Sequence, residues 1–123
     1  LLSRRQRQMC IETGIKADEL ELCRIIGNGL DNAIEGCQRV DVQNKHICFS
    51  ISEDREKLMI VISNTSDEVD TTALSSTKKE KGLHGIGISS IKSSVERLDG
   101  LVKFDYADGI FKLNIMVQNC LPV

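Results

Sequence analysis

Aromatic residues make up only 3% of this 123-residue sequence, and tryptophan is absent. Proteins that bind single-stranded nucleic acid stack bases on aromatic rings, so this scarcity disfavours that function. The formal net charge is −2 and no long basic run occurs, which disfavours a nucleic-acid partner of any kind. No apolar run approaches the roughly 18 residues that a membrane-spanning helix requires. We therefore expect neither nucleic-acid binding nor direct membrane contact from this domain.

Cysteine pairs with metal-ligand spacing are also missing. The five cysteines include no Cys-x-x-Cys motif and no cluster with histidine, so a zinc site is not expected. An odd number of cysteines, two of them on an apolar helix stripe, predicts buried free thiols in a reducing cytoplasm. The 41% hydrophobic and 28% charged composition is that of one ordinary globular domain. Because the sequence begins with Leu1 rather than Met, we expect it to be a piece of a longer protein.

The segment from Leu22 to Cys37 predicts a long helix that the rest of the chain is organised around. Apolar residues recur there at three- and four-residue steps and predict one buried stripe, formed by Cys23, Ile26, Leu30, Ala33, Ile34 and Cys37. Asp18 is a suitable N-cap. Asn28 and Asn32, with Glu35, share a face nearly opposite this stripe. An amide oxygen can ligate a hard cation, although a plain polar helix face is the alternative.

The remaining periodic segments predict an α/β (α+β) fold. An alternating segment, followed by one that is apolar on both faces and therefore expected in the centre of the sheet, indicates two strands that form a hairpin. A second helix and two final strands follow. The five elements are His46–Glu53, Lys57–Ser63, Ile86–Leu98, Leu101–Tyr106 and Ile110–Gln118. A weaker strand candidate precedes the central helix at Arg5–Ile15. We expect a two-layer sandwich in which a mixed, mostly antiparallel sheet of about five strands packs against about three helices.

Between Asn64 and Gly85 the chain is polar and shows no periodicity. A loop of about twenty residues is uncommon inside a compact domain and is usually a functional lid or a disordered segment. Glycines just before the second helix expose backbone N–H groups at the positive end of its dipole, which favours binding of phosphate. No Gly-Lys-Ser/Thr sequence follows, so this is not a Walker A loop.

Three segments in this order resemble the GHKL ATPase superfamily, and most closely the catalytic domain of sensor histidine kinases of the peptide quorum-sensing class. GNGLDNAIEG resembles the N box, IVISNT stands where the first glycine box begins, and STKKEKGLHGIGISSIKSSVERLDG resembles the lid and second glycine box. The resemblance extends from about Asp18 onward. It implies a Bergerat-type sandwich, with residues 1–123 as one ATP-binding catalytic domain and residues 65–85 as the ATP lid.

The resemblance also implies roles for individual residues. Asn32 would be the magnesium ligand, and Asn28 would support the phosphates or the water shell of the ion. Asn64 would face the adenine amino group, where its amide could satisfy adenine or, flipped, guanine. Phosphate binding is implied for residues of the lid and of the following helix start: Lys78, Gly82, His84, Gly85, Ile86, Gly87 and Ile88. Neither His46 nor His84 lies in the context of a phosphoacceptor histidine.

Three departures from the common kinase pattern occur. Asn64-Thr65-Ser66-Asp67-Glu68 stands where most histidine kinases have Asp-x-Gly-x-Gly, Glu35 stands where many have lysine, and Leu83 replaces the first glycine of the second box. The quorum-sensing class is similar in these respects. Asn28 stands where topoisomerases and chaperones carry a catalytic glutamate, which favours phosphoryl transfer over hydrolysis.

The implied function is binding of Mg-ATP and supply of its γ-phosphate to a histidine on a separate dimerisation domain. The implied partners are that domain, in a homodimeric receptor, and a downstream response regulator. We expect a cytoplasmic location in a membrane-anchored receptor. Two alternatives remain: a protein-binding module of the anti-sigma-factor kinase type, which would phosphorylate serine, and an ATP-hydrolysing clamp.

Overall fold

Two helices and four strands form the part of the chain that the computed structural model describes, residues 15–68 and 85–120. In chain order they are α1 (Glu19–Gln38), β1 (Ile47–Asp54), β2 (Lys57–Thr65), α2 (Gly85–Arg97), β3 (Leu101–Ala107) and β4 (Ile110–Gln118). Each was predicted from the sequence to within a few residues. The candidate strand before α1 lies outside the described residues, except Ile15, which is not in a strand.

The sheet has the strand order β1-β2-β4-β3. Each neighbouring pair is antiparallel, so the expectation of a mixed sheet is wrong for this part of the chain. β2 and β3 do run in the same direction, but β4 lies between them and pairs with both. With four strands and two helices, the described residues also contain one element of each kind fewer than expected.

The buried face of α1 differs from the predicted apolar stripe. The residues turned inward are Leu22, Ile25, Gly29, Ala33 and Cys37, together with Glu21. Cys23 and Ile34 are exposed. A Cβ at Gly29 would collide with Cδ1 of Ile62, so the missing side chain lets the helix approach the sheet closely. The stripe is rotated by about one residue because a glycine, absent from any hydrophobic pattern, occupies the centre of the contact.

The core lies between this helix layer and one face of the sheet. β4 contributes every second residue, as its alternation predicted. β2 was expected to be central because it is apolar on both faces; it is an inner strand, and it too buries every second residue. α2 contributes Ile88, Ile91 and Val95. Asp18 caps α1, since its carboxylate accepts a hydrogen bond from the Leu20 N–H at 2.9 Å. The helices and the two inner strands are thereby held in one packed unit.

The strand β1 is more exposed than the sequence predicts. Ile47, Phe49 and Ile51 share the helix-side face of the sheet, because their register partners include the buried Ile60 and Ile62. They nevertheless remain 37–44% exposed, since β1 is an edge strand and α1 packs chiefly on β2.

The cysteines do not follow the prediction of buried thiols. Cys37 is buried, but Cys23, Cys48 and Cys120 are exposed, and Cys10 lies outside the described residues. No helix in residues 15–68 and 85–120 is both long and apolar enough to span a bilayer. The ends of the predicted lid belong to regular structure, because Thr65 is the last residue of β2 and Gly85 the first of α2.

Candidate functional site

The helices α1 and α2 lie side by side and run in opposite directions. Glu21, near the start of α1, contacts Arg97 at the end of α2, whereas Asn28 faces Ser89 and Ser90 in the first half of α2. Both helices advance about 1.5 Å per residue. Asn32, one turn beyond Asn28, therefore lies level with the beginning of α2.

The Glu21–Arg97 pair fixes this arrangement at one end. Arg97 donates through Nε to Oε2 and through Nη2 to Oε1, at 2.5 and 3.1 Å, which is the two-point geometry that guanidinium and carboxylate favour. These hydrogen bonds lower the pKa of Glu21 from 4.5 to about 2, with smaller contributions from Ser94 and Arg24. Burial of the carboxylate acts in the opposite direction and raises its pKa. Reciprocally, Glu21 raises the pKa of Arg97.

We expect the Glu21→Gln variant to lose about 1 kcal/mol of unfolding free energy at neutral pH. This value lies below the usual range for charged hydrogen bonds because half of the Arg97 side chain is exposed to solvent. Since the folded pKa of Glu21 is lowered, its contribution is complete above pH 4.5 and is lost as the pH falls toward 2. Urea unfolding between pH 7 and pH 2.5 should therefore show the parent and variant converging in acid.

Glu35→Gln is the matched control for this prediction. Glu35 also pairs with an arginine, Arg39 at 3.8 Å, but both side chains are more than half exposed. Its replacement should change the unfolding free energy by less than about 0.5 kcal/mol. An equal loss in the two variants at neutral pH, or a Glu21→Gln loss that persists at pH 2.5, would contradict the prediction.

A cleft of about 390 Å³ opens between the two helices beside this ion pair. Its lining, within the described part of the chain, consists of polar and charged residues: Arg24, Asn28, Ser89, Ser90, Ser93, Ser94 and Arg97. Guanidinium, amide and hydroxyl groups are the donors that bind phosphate and carboxylate oxygens. The cleft is therefore suited to an anion rather than to an apolar ligand.

Asn28 lines the cleft, and Asn32 follows it by one turn of α1; both are partly buried. Asn28 donates from Nδ2 to the carbonyl oxygen of Arg24 at 2.8 Å. This bond leaves its Oδ1 free to accept from a metal-bound water, while the second Nδ2 hydrogen can reach a phosphate oxygen. Asn32 is not among the residues that line the cleft; it lies one turn further along α1, level with the start of α2.

The start of α2 contains Gly85, Ile86, Gly87 and Ile88. A Cβ at Gly87 would meet no atom within 4 Å, so a ligand can approach the backbone there. Ile88 is 3% exposed and belongs to the core, which leaves only its backbone N–H for binding. Unpaired N–H groups at this end of a helix favour phosphate.

Asn64 lies at the other end of α1. It continues the buried row of β2 and is 3% exposed. A Cβ at Gly36 would stand 2.5 Å from its Nδ2, so only glycine lets the helix pass over this amide. Nδ2 donates to the Thr65 carbonyl oxygen at 2.8 Å, and this bond sets the orientation of the amide.

Asn28 and Asn32 thus lie on α1, and Asn64 and the start of α2 both lie beside that helix. Lys78, Gly82 and His84 lie outside the described residues. Sequence reasoning missed the Glu21–Arg97 pair and the position of Arg24 in the wall of the cleft. Two signals were available: Arg24 precedes Asn28 by one turn, and the serines of α2 recur at positions 89, 90, 93 and 94, which forms a polar stripe on one helix face.

A magnesium ion fits this donor set. Within residues 15–68 and 85–120, no group of three histidine, cysteine, aspartate or glutamate residues could hold a metal. Mg²⁺ does not require such a cage, because it keeps several waters and binds one or two protein ligands together with substrate phosphates. Asn32 would hold such an ion as its protein ligand.

Comparison with known proteins identifies relatives that match most of the chain. Residues 18–118 match the family described as the GHKL domain. The sensor histidine kinase DpiB of Escherichia coli (strain K12) is 30% identical over 99 residues, which cover 74% of this chain and 18% of DpiB. The chain therefore spans less than a fifth of the length of this curated relative.

Solved histidine kinases share the fold. The nucleotide-free catalytic domain of the histidine kinase ThkA superposes with a TM-score of 0.68 at 13% identity, covering 94% of this chain and 87% of that one. Full-length ShkA in complex with AMPPNP gives a TM-score of 0.69 at 16% identity, covering 89% of this chain and 24% of ShkA. These likenesses confirm the predicted two-layer α/β fold.

Proposed function

Because this chain belongs to the GHKL domain family, we propose that it binds ATP with a magnesium ion and supplies the γ-phosphate to a histidine on a separate domain. The observation that carries the proposal is the placement of the asparagine row of α1 beside the start of α2. The amide oxygen of Asn32, which could ligate a cation, lies level with the N-terminal N–H groups of α2. A metal-bound phosphate chain needs both.

Nothing in the proposed reaction requires covalent chemistry by this chain. Phosphoryl transfer is accelerated mainly by positioning and by neutralising charge. Magnesium would neutralise charge on the phosphates. Asn28 offers no basic group to activate water, which favours transfer to a partner over hydrolysis. By similarity to DpiB, we propose a histidine-bearing dimerisation domain and a response regulator as partners, in a membrane-anchored receptor with this domain on the cytoplasmic side.

Labelling with γ-³²P-ATP tests this function. The chain alone should not become labelled, since neither His46 nor His84 is the proposed acceptor. Mixed with a histidine-bearing dimerisation domain, it should label that domain with an acid-labile, alkali-stable phosphate. Replacement of the acceptor histidine by glutamine, or addition of EDTA, should abolish the label.

Other outcomes would contradict the proposal in distinguishable ways. An acid-stable label on a serine of the partner would indicate a kinase of the anti-sigma-factor type. Rapid release of inorganic phosphate with no partner present would indicate a hydrolysing clamp. Assignment to the quorum-sensing class stays a prediction from the sequence.

A further inference from the structure

The polar cleft between α1 and α2 lies on the side of the proposed metal position that is nearer the start of α1. Arg24, Asn28 and Asn32 are spaced four residues apart, so they form one row on the helix surface with about 6 Å between successive members. Asn32 and Asn28 are already assigned to the metal and phosphates. Arg24 is the next group in the row and has no part in that assignment.

The charges in the lining of the cleft favour an anion, because the charged residues of its described lining, Arg24 and Arg97, are both arginines. Arg24 and Arg97 share a single carboxylate, that of Glu21. Arg97 is committed to Glu21 at two points and is further influenced by Glu96. Arg24 makes one contact with Glu21, at 3.3 Å, and 48% of its side chain is exposed. Such a contact contributes little, so Arg24 can turn toward a bound anion at small cost.

The hydroxyl groups opposite Arg24 supply additional donors. Ser89 and Ser93 are exposed and lie one turn apart on α2, and both line the cleft. Ser94, in contrast, is buried and accepts a hydrogen bond from Arg97 at 3.2 Å. A guanidinium on one wall and free hydroxyls on the other form a set of donors that converges on one anionic group.

The order of groups along α1 indicates which anion this is. Asn64 contacts Gly36 near the end of α1, and Asn32, Asn28 and Arg24 follow toward its start. With the base at Asn64 and the metal at Asn32, the phosphate chain is directed toward Arg24. We propose that Arg24 binds the terminal phosphate of ATP, assisted by Ser89 and Ser93, and that this contact distinguishes ATP from ADP. The inference rests on the proposed nucleotide-binding function.

Calorimetry with ATP and ADP in the presence of magnesium tests the inference. Arg24→Ala should weaken ATP binding about tenfold and change ADP binding less than about twofold, as expected for loss of one partly exposed charged hydrogen bond. Arg24→Lys, which keeps the charge and loses the planar fork, should give an intermediate ATP affinity. The hydrogen bond from Asn28 is unaffected in either variant, because it is made to the backbone of residue 24.

Arg39→Ala is the matched control. Arg39 is the C-cap of α1; it is 57% exposed and paired with Glu35, and it lies at the opposite end of that helix from Arg24. Its replacement should leave both affinities unchanged. Circular dichroism and the urea midpoint should show that each variant is folded.

The failure of this inference is distinguishable from failure of the proposed function. If the parent binds neither ATP nor ADP, nucleotide binding itself is wrong and the inference is wrong with it. If the parent binds both and Arg24→Ala weakens them equally, or weakens neither, the proposed function stands and the assignment of Arg24 to the terminal phosphate is overturned. An unchanged nucleotide affinity combined with slower phosphorylation of the partner domain would assign the cleft to an acidic group of that partner instead.

Discussion

Asn32→Ala is expected to remove most of the magnesium dependence of ATP binding. In the parent, ATP should bind much more tightly with magnesium than with EDTA, because the amide oxygen of Asn32 would hold an ion that neutralises charge on the phosphates. Loss of one charged ligand contact corresponds to roughly 10- to 100-fold in affinity. Calorimetry of the parent and of the variant, each with magnesium and with EDTA, gives the four dissociation constants that this comparison needs.

The position of Asn32 makes this variant informative. The residue lies inside α1, where alanine is a better helix former than asparagine, so the substitution should not unfold the domain. Asn32→Asp retains an oxygen ligand and should preserve the magnesium dependence. Asn44→Ala, in an exposed loop outside the site, should have no effect. Equal ATP binding by the parent with and without metal would show that the assignment of Asn32 is wrong.

The fold was predictable from the sequence wherever the pattern was local. The Asp18 cap, the alternation along β4 and the Ile88–Ile91–Val95 spacing each specify one element, and all are confirmed. The orientation of α1 was not predictable in this way. It depends on the fit of Gly29 against Ile62, which lies far from it in the sequence. A hydrophobic pattern gives glycine no weight.

The same distinction applies to the candidate site. Asn28, Asn32 and Asn64 were identified because short segments resemble known boxes, and the structure adds where they lie relative to α2 and Gly36. The Glu21–Arg97 pair joins residues 76 positions apart, so no local pattern reveals it. In sequence, Glu21 is simply an acidic residue suited to the first turn of a helix. Burial beside α2 gives it the second role of joining the two helices.

The hydrogen bond between Asn64 and Thr65 changes what the sequence predicts about base selectivity. A free amide could satisfy adenine in one orientation and guanine in the other. Here Nδ2 donates to the Thr65 carbonyl oxygen, and a flipped amide would place Oδ1 against that carbonyl, acceptor facing acceptor. The amide is therefore held in the orientation observed, and we expect a clear preference for one base. We propose adenine, with Oδ1 accepting from its amino group and the second Nδ2 hydrogen donated to its ring nitrogen.

Asn64→Leu should weaken ATP binding by roughly 10- to 100-fold, since a buried polar group of the base left unpaired costs about 1–3 kcal/mol. The same variant should bind ATP and GTP with similar affinity, because leucine offers neither base a hydrogen bond. Leucine suits the position, which continues the buried apolar row of β2.

Asn114→Leu is the matched control. Asn114 lies in β4 and its side chain is hydrogen-bonded to Asp105. Because Asn114 alternates with the buried residues of β4, its side chain is on the other face of the sheet. Competition binding with both nucleotides should show full selectivity in that control. If Asn64→Leu binds ATP as tightly as the parent does, Asn64 does not contact the base, and the nucleotide is not placed along α1 with its base at Gly36.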